Sequence, residues 1–234
     1  MKIQDSVVFI TGANRGLGLA YARAALAAGA KKVYAAARDP KSITLEGVHA
    51  IALDVTKPEQ AEAAARDCGD VTLLINNAGI SRSSGFLSSP DAFDAARAEL
   101  ETNFFGPWAL SRAFAPVLAK NGGGAIANVL SVLSWVSLPG AATYSASKSA
   151  AWSLSNGLRN ELRAQGTQVI SVHVGFMDTD MASHVPGDKT SPDEVARQTL
   201  AAVEAGLPEV LADALTRQVK QGFVADPPAY AAAR

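Results

Sequence analysis

The segment YSASK, residues 144–148, places Tyr144 and Lys148 four residues apart. On a helix, that spacing sets the two side chains on one face, about one turn apart. A phenol has an ordinary pKa of about 10, and a nearby ammonium group lowers that pKa by stabilising the phenolate. The pair therefore suits proton transfer to or from an oxygen atom, although a buried tyrosine beside a lysine is more often only structural.

A serine is predicted to join this pair from a neighbouring strand. Ser131 precedes Tyr144 by thirteen residues and closes the strand predicted at 124–131. Ligands of open α/β sheets bind beyond the carboxyl ends of the strands, so this hydroxyl is expected at the mouth of the site. It can hydrogen-bond a substrate oxygen and fix its orientation. Ser134 and Ser137 are close rivals, and only the spacing selects Ser131.

A glycine-rich segment, TGANRGLG at residues 11–18, lies between an apolar strand and a helix. Glycines at such a turn let the backbone approach a pyrophosphate closely, and the helix N-terminus offers unpaired N–H groups. We call this segment the glycine turn and predict that it binds a dinucleotide; a tight turn without a ligand is the alternative. Its candidate cofactor-binding residues are Gly12, Asn14, Arg15, Gly16, Leu17 and Gly18.

The elements that must position these residues alternate along the chain. Short apolar runs are separated by longer alanine-rich segments, and most of the runs are continuously apolar, as in a parallel sheet that is covered on both faces. The sequence therefore predicts one doubly wound, Rossmann-like α/β domain over residues 1–234 with a mostly parallel seven-stranded sheet. The tail, 223–234, is expected to be frayed or docked. Predicted strands are 6–11, 32–37, 49–54, 71–76, 124–131, 169–174 and 209–212, and predicted helices are 16–28, 58–67, 91–119, 144–164 and 192–205.

In combination these motifs resemble the short-chain dehydrogenase/reductase family in its compact form. The family motif TGxxxGxG matches the glycine turn, NNAG matches residues 76–79, and the reacting residues match Asn103, Ser131, Tyr144 and Lys148. The resemblance covers nearly the whole chain. It implies hydride transfer between a nicotinamide and a carbonyl or secondary alcohol, with Tyr144 as general acid and base. It also implies that Lys148 holds the nicotinamide ribose and that the backbone of Asn103 helps to hold a water that relays protons.

Further cofactor contacts follow from the same resemblance. Asp54 and Val55 close the third strand, where the family's aspartate meets the adenine amino group. Asn77, Ala78 and Gly79 follow the fourth strand as part of NNAG. After the sixth strand, Gly175 and Thr179 match a family turn whose threonine contacts the nicotinamide amide. Val174 stands where the family usually has a proline, which makes the role of Thr179 less secure.

The second strand indicates which dinucleotide is bound. An acid at its end would bond the ribose 2′-OH of NAD, but Ala37 stands there and Arg38 follows it. Arg38 and Arg15 can form charge-assisted bonds to a 2′-phosphate, so NADP(H) is predicted and NAD(H) is the alternative. In the NAD(H) alternative, the position of the acid lies one or two residues further along the chain, and Asp39 bonds the ribose 2′-OH.

Composition excludes several other classes of function. The formal net charge is -1, which favours neither nucleic acid nor an anionic membrane as a partner. Three scattered histidines lack the spacing of metal ligands, so no metal site is expected. No apolar run approaches the roughly 20 residues of a membrane span. The single cysteine, Cys68, allows no intramolecular disulfide, and a cytoplasmic location is expected.

The predicted mouth of the site is largely apolar, which favours a small, apolar or aromatic ketone or aldehyde as the substrate. Residues 182–189 are a plausible lid. By resemblance, the long helices at 91–119 and 144–164 form a homodimer, and a tetramer is the alternative. Family members that form tetramers usually have a glycine-containing turn after the last strand, and this chain has no glycine there. The apolar candidates at the mouth are Leu133, Trp135, Val136, Leu138, Phe176, Met177 and Met181.

Two other functions compete with ketone or aldehyde reduction. Reduction of 3-oxoacyl groups on an acyl carrier protein would need a basic docking patch, for which Arg82 and Arg112 are candidates without forming a cluster in the sequence. A non-catalytic NADP-sensing regulator is a further alternative. Such proteins typically lose the reacting tyrosine or lysine, and this chain keeps both.

Overall fold

A computed structural model describes residues 1–183 and 185–231. Seven strands form one sheet in the order β3-β2-β1-β4-β5-β6-β7. All six pairings between neighbouring strands are parallel, which confirms the predicted fold class. The strands are β1 (Val7–Thr11), β2 (Lys32–Ala37), β3 (His49–Ala52), β4 (Leu73–Asn76), β5 (Ala125–Val129), β6 (Gln168–His173) and β7 (Glu209–Leu211).

The strand order reverses direction between β1 and β4. The chain runs outward from β1 through β2 to β3 and then returns to pair β4 with the other side of β1. At such a switch point the loops leave in opposite directions and open a crevice for a ligand. Every residue of β1 and of β4 is buried, and apolar clusters cover both faces of the sheet, which explains why these runs are continuously apolar.

Seven α-helices flank the sheet in the described part of the chain. None of them is long and apolar enough to cross a membrane. Helix α7 was not predicted from the sequence, because eight residues are too short for a clear helical period. The helices are α1 (Gly16–Ala27), α2 (Pro58–Asp67), α3 (Ala92–Leu100), α4 (Gly106–Lys120), α5 (Ala142–Glu161), α6 (Pro192–Ala205) and α7 (Ala214–Gln221).

The helix predicted at 91–119 is interrupted. A π-helical turn, Glu101–Phe105, separates α3 from α4, and the N–H of Gly106 bonds to the carbonyl of Glu101. Pro107 has no N–H, so the carbonyl of Asn103 lacks the donor that an α-helix would give it four residues on. The prediction of one continuous helix is therefore wrong at a position that belongs to the predicted site.

The C-terminal tail is docked as far as the structure describes it. A 3-10 turn, Gly222–Val224, follows α7, and the N–H of Ala229 bonds back to the carbonyl of Gly222 at 2.8 Å. Of the two expectations for this segment, docking is therefore observed for residues 223–231. The remaining residues of the predicted tail, 232–234, lie outside the described part of the chain.

Candidate active site

The ends of β1 and β4 are joined by side chains of the glycine turn and of the segment NNAG. The hydroxyl oxygen of Thr11 accepts hydrogen bonds from the backbone N–H groups of Asn77 and Ala78, both at 3.0 Å. The Asn77 side-chain amide donates to the carbonyls of Thr11 at 2.8 Å and of Gly12 at 3.2 Å. These bonds hold the first turn of the crevice in place, just before the start of α1.

Three glycines of this turn are required by its geometry. Gly12 and Gly16 have positive φ angles of 63° and 52°, which side chains disfavour. Gly18 is helical, but a Cβ atom there would lie 2.1 Å from the carbonyl oxygen of Gly12. The turn is thus shaped for close approach of a ligand to its backbone, and the helix that begins at Gly16 is suited to bind phosphate.

Exposed charged side chains surround the glycine turn. Arg38 follows β2 and is exposed, so its guanidinium group is accessible to a ligand. Asp39 begins a 3-10 turn, and its carboxylate accepts the N–H of Lys41 at 3.0 Å. In the NAD(H) alternative, this carboxylate is the acid that would bond the ribose. Arg15 pairs with Asp180 at 2.5 Å, and both side chains are largely exposed. Such an exposed pair is weak and can exchange for a phosphate contact.

The segment after β3 carries an acid beside Arg38. The Asp54 carboxylate accepts both the N–H of Thr56 at 3.0 Å and the hydroxyl of Thr56 at 2.7 Å. Burial alone would raise the pKa of Asp54, but these bonds and the nearby Arg38 lower it below its ordinary value. Val55 is buried, and its carbonyl lies against Gly106. Asp54 is therefore ionised at neutral pH and available as a hydrogen-bond acceptor.

Tyr144 and Ser131 meet at the mouth of the crevice. Ser131 begins a 3-10 turn after β5, and its hydroxyl oxygen accepts the N–H of Leu133 at 3.1 Å. Tyr144, on the first turn of α5, lies close enough to Ser131 for hydrogen bonding between the two hydroxyls to affect the pKa of the phenol. Burial raises the pKa of Tyr144 above its ordinary value, the bond to Ser131 lowers it, and the charge of Glu99 raises it further. The phenol is therefore neutral and able to donate a proton.

Lys148 lies one turn further along α5 and is buried. Its ammonium group donates to the carbonyl of Val129 at 2.9 Å and lies 5.7 Å from the centre of the Tyr144 ring. Burial lowers the pKa of Lys148 to about 8. The expectation was that Lys148 depresses the pKa of Tyr144, but in this structure burial dominates the pKa of both groups.

Asn103 links the π-helical turn to the segment after β4. Its side-chain oxygen accepts the N–H of Ile80, and its amide donates to the carbonyl of Ile80 and to the hydroxyl of Ser147, each at 2.9 Å. A Cβ atom on Gly79 would lie 3.2 Å from the Asn103 oxygen and 3.6 Å from the Lys148 nitrogen. The structure thus brings the segment NNAG, Asn103 and Lys148 together.

The segment after β6 returns to the glycine turn. A Cβ atom on Gly16 would lie 3.4 Å from the Thr179 methyl group, so Thr179 borders the predicted cofactor site. The N–H of Gly175 donates to the Asp213 carboxylate at 2.6 Å. Asp213, which also caps α7, was missed by the sequence analysis. The capping pattern of Asp213 and Thr216 was its only signal.

Two buried ionisable residues near the site were also missed. Glu99 is fully buried on α3; one of its oxygens accepts the N–H of Arg82 at 2.7 Å, and the other has no hydrogen-bond partner among the described residues. His173 is buried at the end of β6, and its ring lies 3.2 Å from the carbonyl of Ser131. Burial lowers the pKa of His173 to about 3, so its ring is neutral. Neither residue belongs to a local motif that would have identified it.

A cavity of about 460 Å³ opens beside the first turn of α5. Of the seven apolar residues predicted at the mouth, Val136 and Leu138 line it, whereas Leu133 and Trp135 belong to the buried cluster behind it. Residue 184 of the predicted lid lies outside the described part of the chain. In that described part, no group of His, Cys, Asp and Glu side chains is placed to hold a metal ion.

Comparison with known proteins decides the family. The family model described as short chain dehydrogenase matches residues 6–190. The chain belongs to the short-chain dehydrogenase family. The resemblance predicted from the sequence is therefore confirmed, and this short-chain dehydrogenase is an oxidoreductase that acts on CH–OH or C=O groups.

Relatives and solved structures support this assignment. Dehydrogenase/reductase SDR family member 7B of Xenopus tropicalis is 33% identical over 233 residues, covering 86% of this chain and 75% of the relative. The 3-oxoacyl-(acyl-carrier-protein) reductase FabG of Vibrio cholerae is 32% identical over 215 residues, covering 88% and 85%. A short chain dehydrogenase from Burkholderia cenocepacia, solved in complex with NADP, is 44% identical with a TM-score of 0.93, covering 97% of this short-chain dehydrogenase and 96% of that chain.

Proposed function

We propose that the protein is an NADP(H)-dependent reductase of ketones or aldehydes. The observation that carries the proposal is the proximity of the Tyr144 and Ser131 hydroxyls at the mouth of the crevice, with the Lys148 ammonium 5.7 Å from the centre of the Tyr144 ring. The glycine turn fits a dinucleotide, because Gly12 and Gly16 carry no side chain that would keep a pyrophosphate from the backbone where α1 begins. The bound cofactor would supply the hydride at its nicotinamide ring.

The residues of the chain supply the rest of the chemistry. The Ser131 hydroxyl orients the substrate oxygen, and the Tyr144 hydroxyl donates a proton to it as the carbonyl is reduced. Lys148 holds positive charge beside the phenol and binds the nicotinamide ribose. The carbonyl of Asn103, which lacks its helical donor because of Pro107, holds the water that resupplies the proton.

The remaining candidate residues bind the cofactor. The glycine turn binds the pyrophosphate, Asp54 and Val55 hold the adenine, and Thr179 reaches the nicotinamide amide from the turn at Gly175. The segment of Asn77, Ala78 and Gly79 completes the wall of the crevice. Arg15 and Arg38 bind the 2′-phosphate, which selects NADP(H) over NAD(H), in keeping with the NADP bound by the Burkholderia cenocepacia relative.

Replacement of Arg38 tests the cofactor assignment. Arg38→Asp removes a charge-assisted bond to the 2′-phosphate and adds an acceptor for a ribose hydroxyl. The ratio of kcat/KM for NADPH to that for NADH is expected to fall about a hundred-fold. Lys41→Asp, a nearby change of the same charge, is the control. An unchanged ratio in Arg38→Asp would refute the assignment.

The reaction itself is tested with a substrate panel. NADPH oxidation is followed with apolar ketones, aromatic aldehydes and 3-oxoacyl thioesters. Turnover of the small ketones or aldehydes is the expected result, because no charged side chain lines the cavity beside α5 in the described part of the chain. Absence of turnover with every member of the panel would support a non-catalytic NADP sensor instead.

The similarity to FabG favours a second candidate, reduction of 3-oxoacyl groups on an acyl carrier protein. This function needs basic groups near the mouth for an acidic carrier. Arg82 and Arg112 are both exposed, and Arg82 follows β4 close to the site. A preference for the carrier-linked thioester over the same acyl group on a short thiol would favour this candidate. Equal rates for the two thioesters would exclude carrier recognition.

Assembly, domain division and location are part of the same proposal. A homodimer through α3, α4 and α5 would cover aromatic side chains that stand exposed on this face, among them Phe93, Phe105 and Trp108. Light scattering of Trp108→Glu, expected to be monomeric, tests it. A single domain over residues 1–234 and a cytoplasmic location, consistent with the buried thiol of Cys68, stay predictions.

A further inference from the structure

The described part of the C-terminal tail, together with Gly222, folds back toward the site. The contact through which it returns is one that only glycine permits. The N–H of Ala229 donates to the carbonyl of Gly222 at 2.8 Å. A Cβ atom on Gly222 would lie 2.8 Å from the Ala229 methyl group, closer than carbon atoms can approach. The return of the tail therefore depends on the absence of a side chain at residue 222.

A series of aromatic rings connects the tail to the buried cluster beneath the site. Trp135 packs edge-on against Phe223 with ring centres 5.5 Å apart, and Phe223 packs edge-on against Tyr230 at 6.2 Å. Both distances lie in the range that stabilises aromatic pairs. Phe223 and Ala229 pack on the same apolar cluster as Tyr144. The tail is therefore continuous with the wall of the active site.

The cavity of about 460 Å³ beside α5 has three walls, and the tail forms one of them. Residues 85–88 form the first, residues 136–140 with Ala142 form the second, and Tyr230 forms the third. The volume suits a small organic molecule. Tyr230 is 63% exposed and Phe86, which also lines the cavity, is 60% exposed, so two large rings are open to water.

We propose that Tyr230 is a specificity-determining residue, whose ring forms the outer wall of the substrate pocket and selects carbonyl compounds that carry an aromatic group remote from the carbonyl. The proposal rests on the proposed function, since it assigns a substrate class to the same site. Stacking on Tyr230 and Phe86 would cover surface that is otherwise hydrated. Tyr230 lies at the rim, so its ring acts on binding of the remote group and not on proton transfer.

A pair of matched ketones tests the proposal. Benzylacetone and butanone share the same carbonyl surroundings and differ in the remote phenyl group. With NADPH, the ratio of kcat/KM for benzylacetone to that for butanone is expected to fall about tenfold in Tyr230→Ala, mainly through KM. Tyr230→Phe should keep the wild-type ratio, because the ring and not the hydroxyl forms the wall.

A second variant displaces the tail without changing Tyr230. Gly222→Val collides with Ala229 and should lower the same ratio. Val224→Ala is the matched control, because Val224 is 95% exposed in the same tail and does not line the cavity. An unchanged ratio in Tyr230→Ala would overturn the proposal even if the wild-type enzyme reduces both ketones.

A measurement of ligand affinity tests the role of Tyr230 without requiring turnover. If the wild-type protein reduces neither ketone, the affinity of the NADPH-loaded protein for benzylacetone is measured by calorimetry, and the proposed function is decided separately by the full substrate panel. A loss of about tenfold in Tyr230→Ala, with Tyr230→Phe unchanged, would still support an aromatic wall. Equal affinities of wild type and Tyr230→Ala would contradict it.

Discussion

We define residues 1–80 as the nucleotide half of the site and residues 81–183 and 185–231 as the substrate half. In the nucleotide half the binding surface is backbone held by buried strand ends. In the substrate half the cavity is lined by loops, by the start of α5 and by Tyr230 of the tail. Thr11 and Asn77 join β1 to β4 through hydrogen bonds between groups at the ends of two fully buried strands. The cavity in the substrate half has Phe86 and Tyr230 exposed at its rim. A constant ligand such as a dinucleotide suits the first arrangement, and a variable substrate suits the second.

The largest effect is expected where the two halves meet, at Tyr144. Tyr144→Phe removes the hydroxyl beside Ser131 but keeps the ring in its apolar cluster. Turnover should fall about a thousand-fold or more, since the proposed general acid is lost, while the dissociation constant for NADPH should stay within about threefold. Steady-state rates and fluorescence titration of NADPH measure the two effects. Near-normal turnover would refute the proposed mechanism.

A smaller effect is expected from a single methyl group in the nucleotide half. Gly18→Ala places a Cβ atom against the carbonyl of Gly12 and must displace the glycine turn. We expect the free energy of unfolding to fall by about 1–3 kcal/mol and the affinity for NADPH to fall with it. Gly69→Ala is the control, because a Cβ atom there contacts only a carbonyl of α2 at an ordinary distance. Equal stability of the two variants would show that the turn is less tightly constrained than its geometry indicates.

The contrast between the halves also explains what the sequence could predict. The strands and the glycine turn depend on local sterics and on continuous apolar runs, so they were predictable from residues near in sequence. The spacing of Ser131, Tyr144 and Lys148 along the sequence, combined with the family resemblance, was enough to predict these three residues. The structure brings these residues together as expected.

Residues that act through distant partners were not predictable in the same way. Glu99 bonds Arg82 across a loop, and Tyr230 reaches the cavity only because Gly222 allows the tail to return. Neither contact leaves a periodic pattern in the sequence. The π-helical turn at Asn103 was likewise missed, since residues 91–119 were predicted as one continuous helix. Long-range contacts and the path of the chain determine these features, and neither is encoded in a local motif.

The pH dependence of reduction tests whether the reaction needs the positive charge of Lys148. Because burial lowers the pKa of Lys148 to about 8, its protonated fraction falls as the pH rises through that value. If the ammonium group is needed, kcat/KM for reduction should fall about tenfold per pH unit above about pH 8. Tyr144 does not cause this decrease, since its pKa is raised well above that range. In Lys148→Arg, which stays charged, the decrease should be absent even though activity is lower; a flat wild-type profile to about pH 10 would contradict the role of Lys148.

The smallest expected effect isolates the substrate half. Glu99 accepts the N–H of Arg82 at 2.7 Å, and the loop that begins there continues to Ser84, whose carbonyl accepts the N–H and the hydroxyl of Thr143 beside Tyr144. Glu99→Ala leaves the Arg82 N–H without its acceptor, and we expect KM for the ketone to rise several-fold, up to about tenfold.

Glu99→Gln is the matched variant, because its amide oxygen can still accept the bond from Arg82. It should stay within about threefold of wild type in KM. The dissociation constant for NADPH should be unchanged in both variants, since the hydrogen bond of Glu99 is to Arg82 in the substrate half. A loss of NADPH affinity in Glu99→Ala would show that the two halves are mechanically coupled through α3. The distinction between a fixed nucleotide half and an adjustable substrate half would then be wrong.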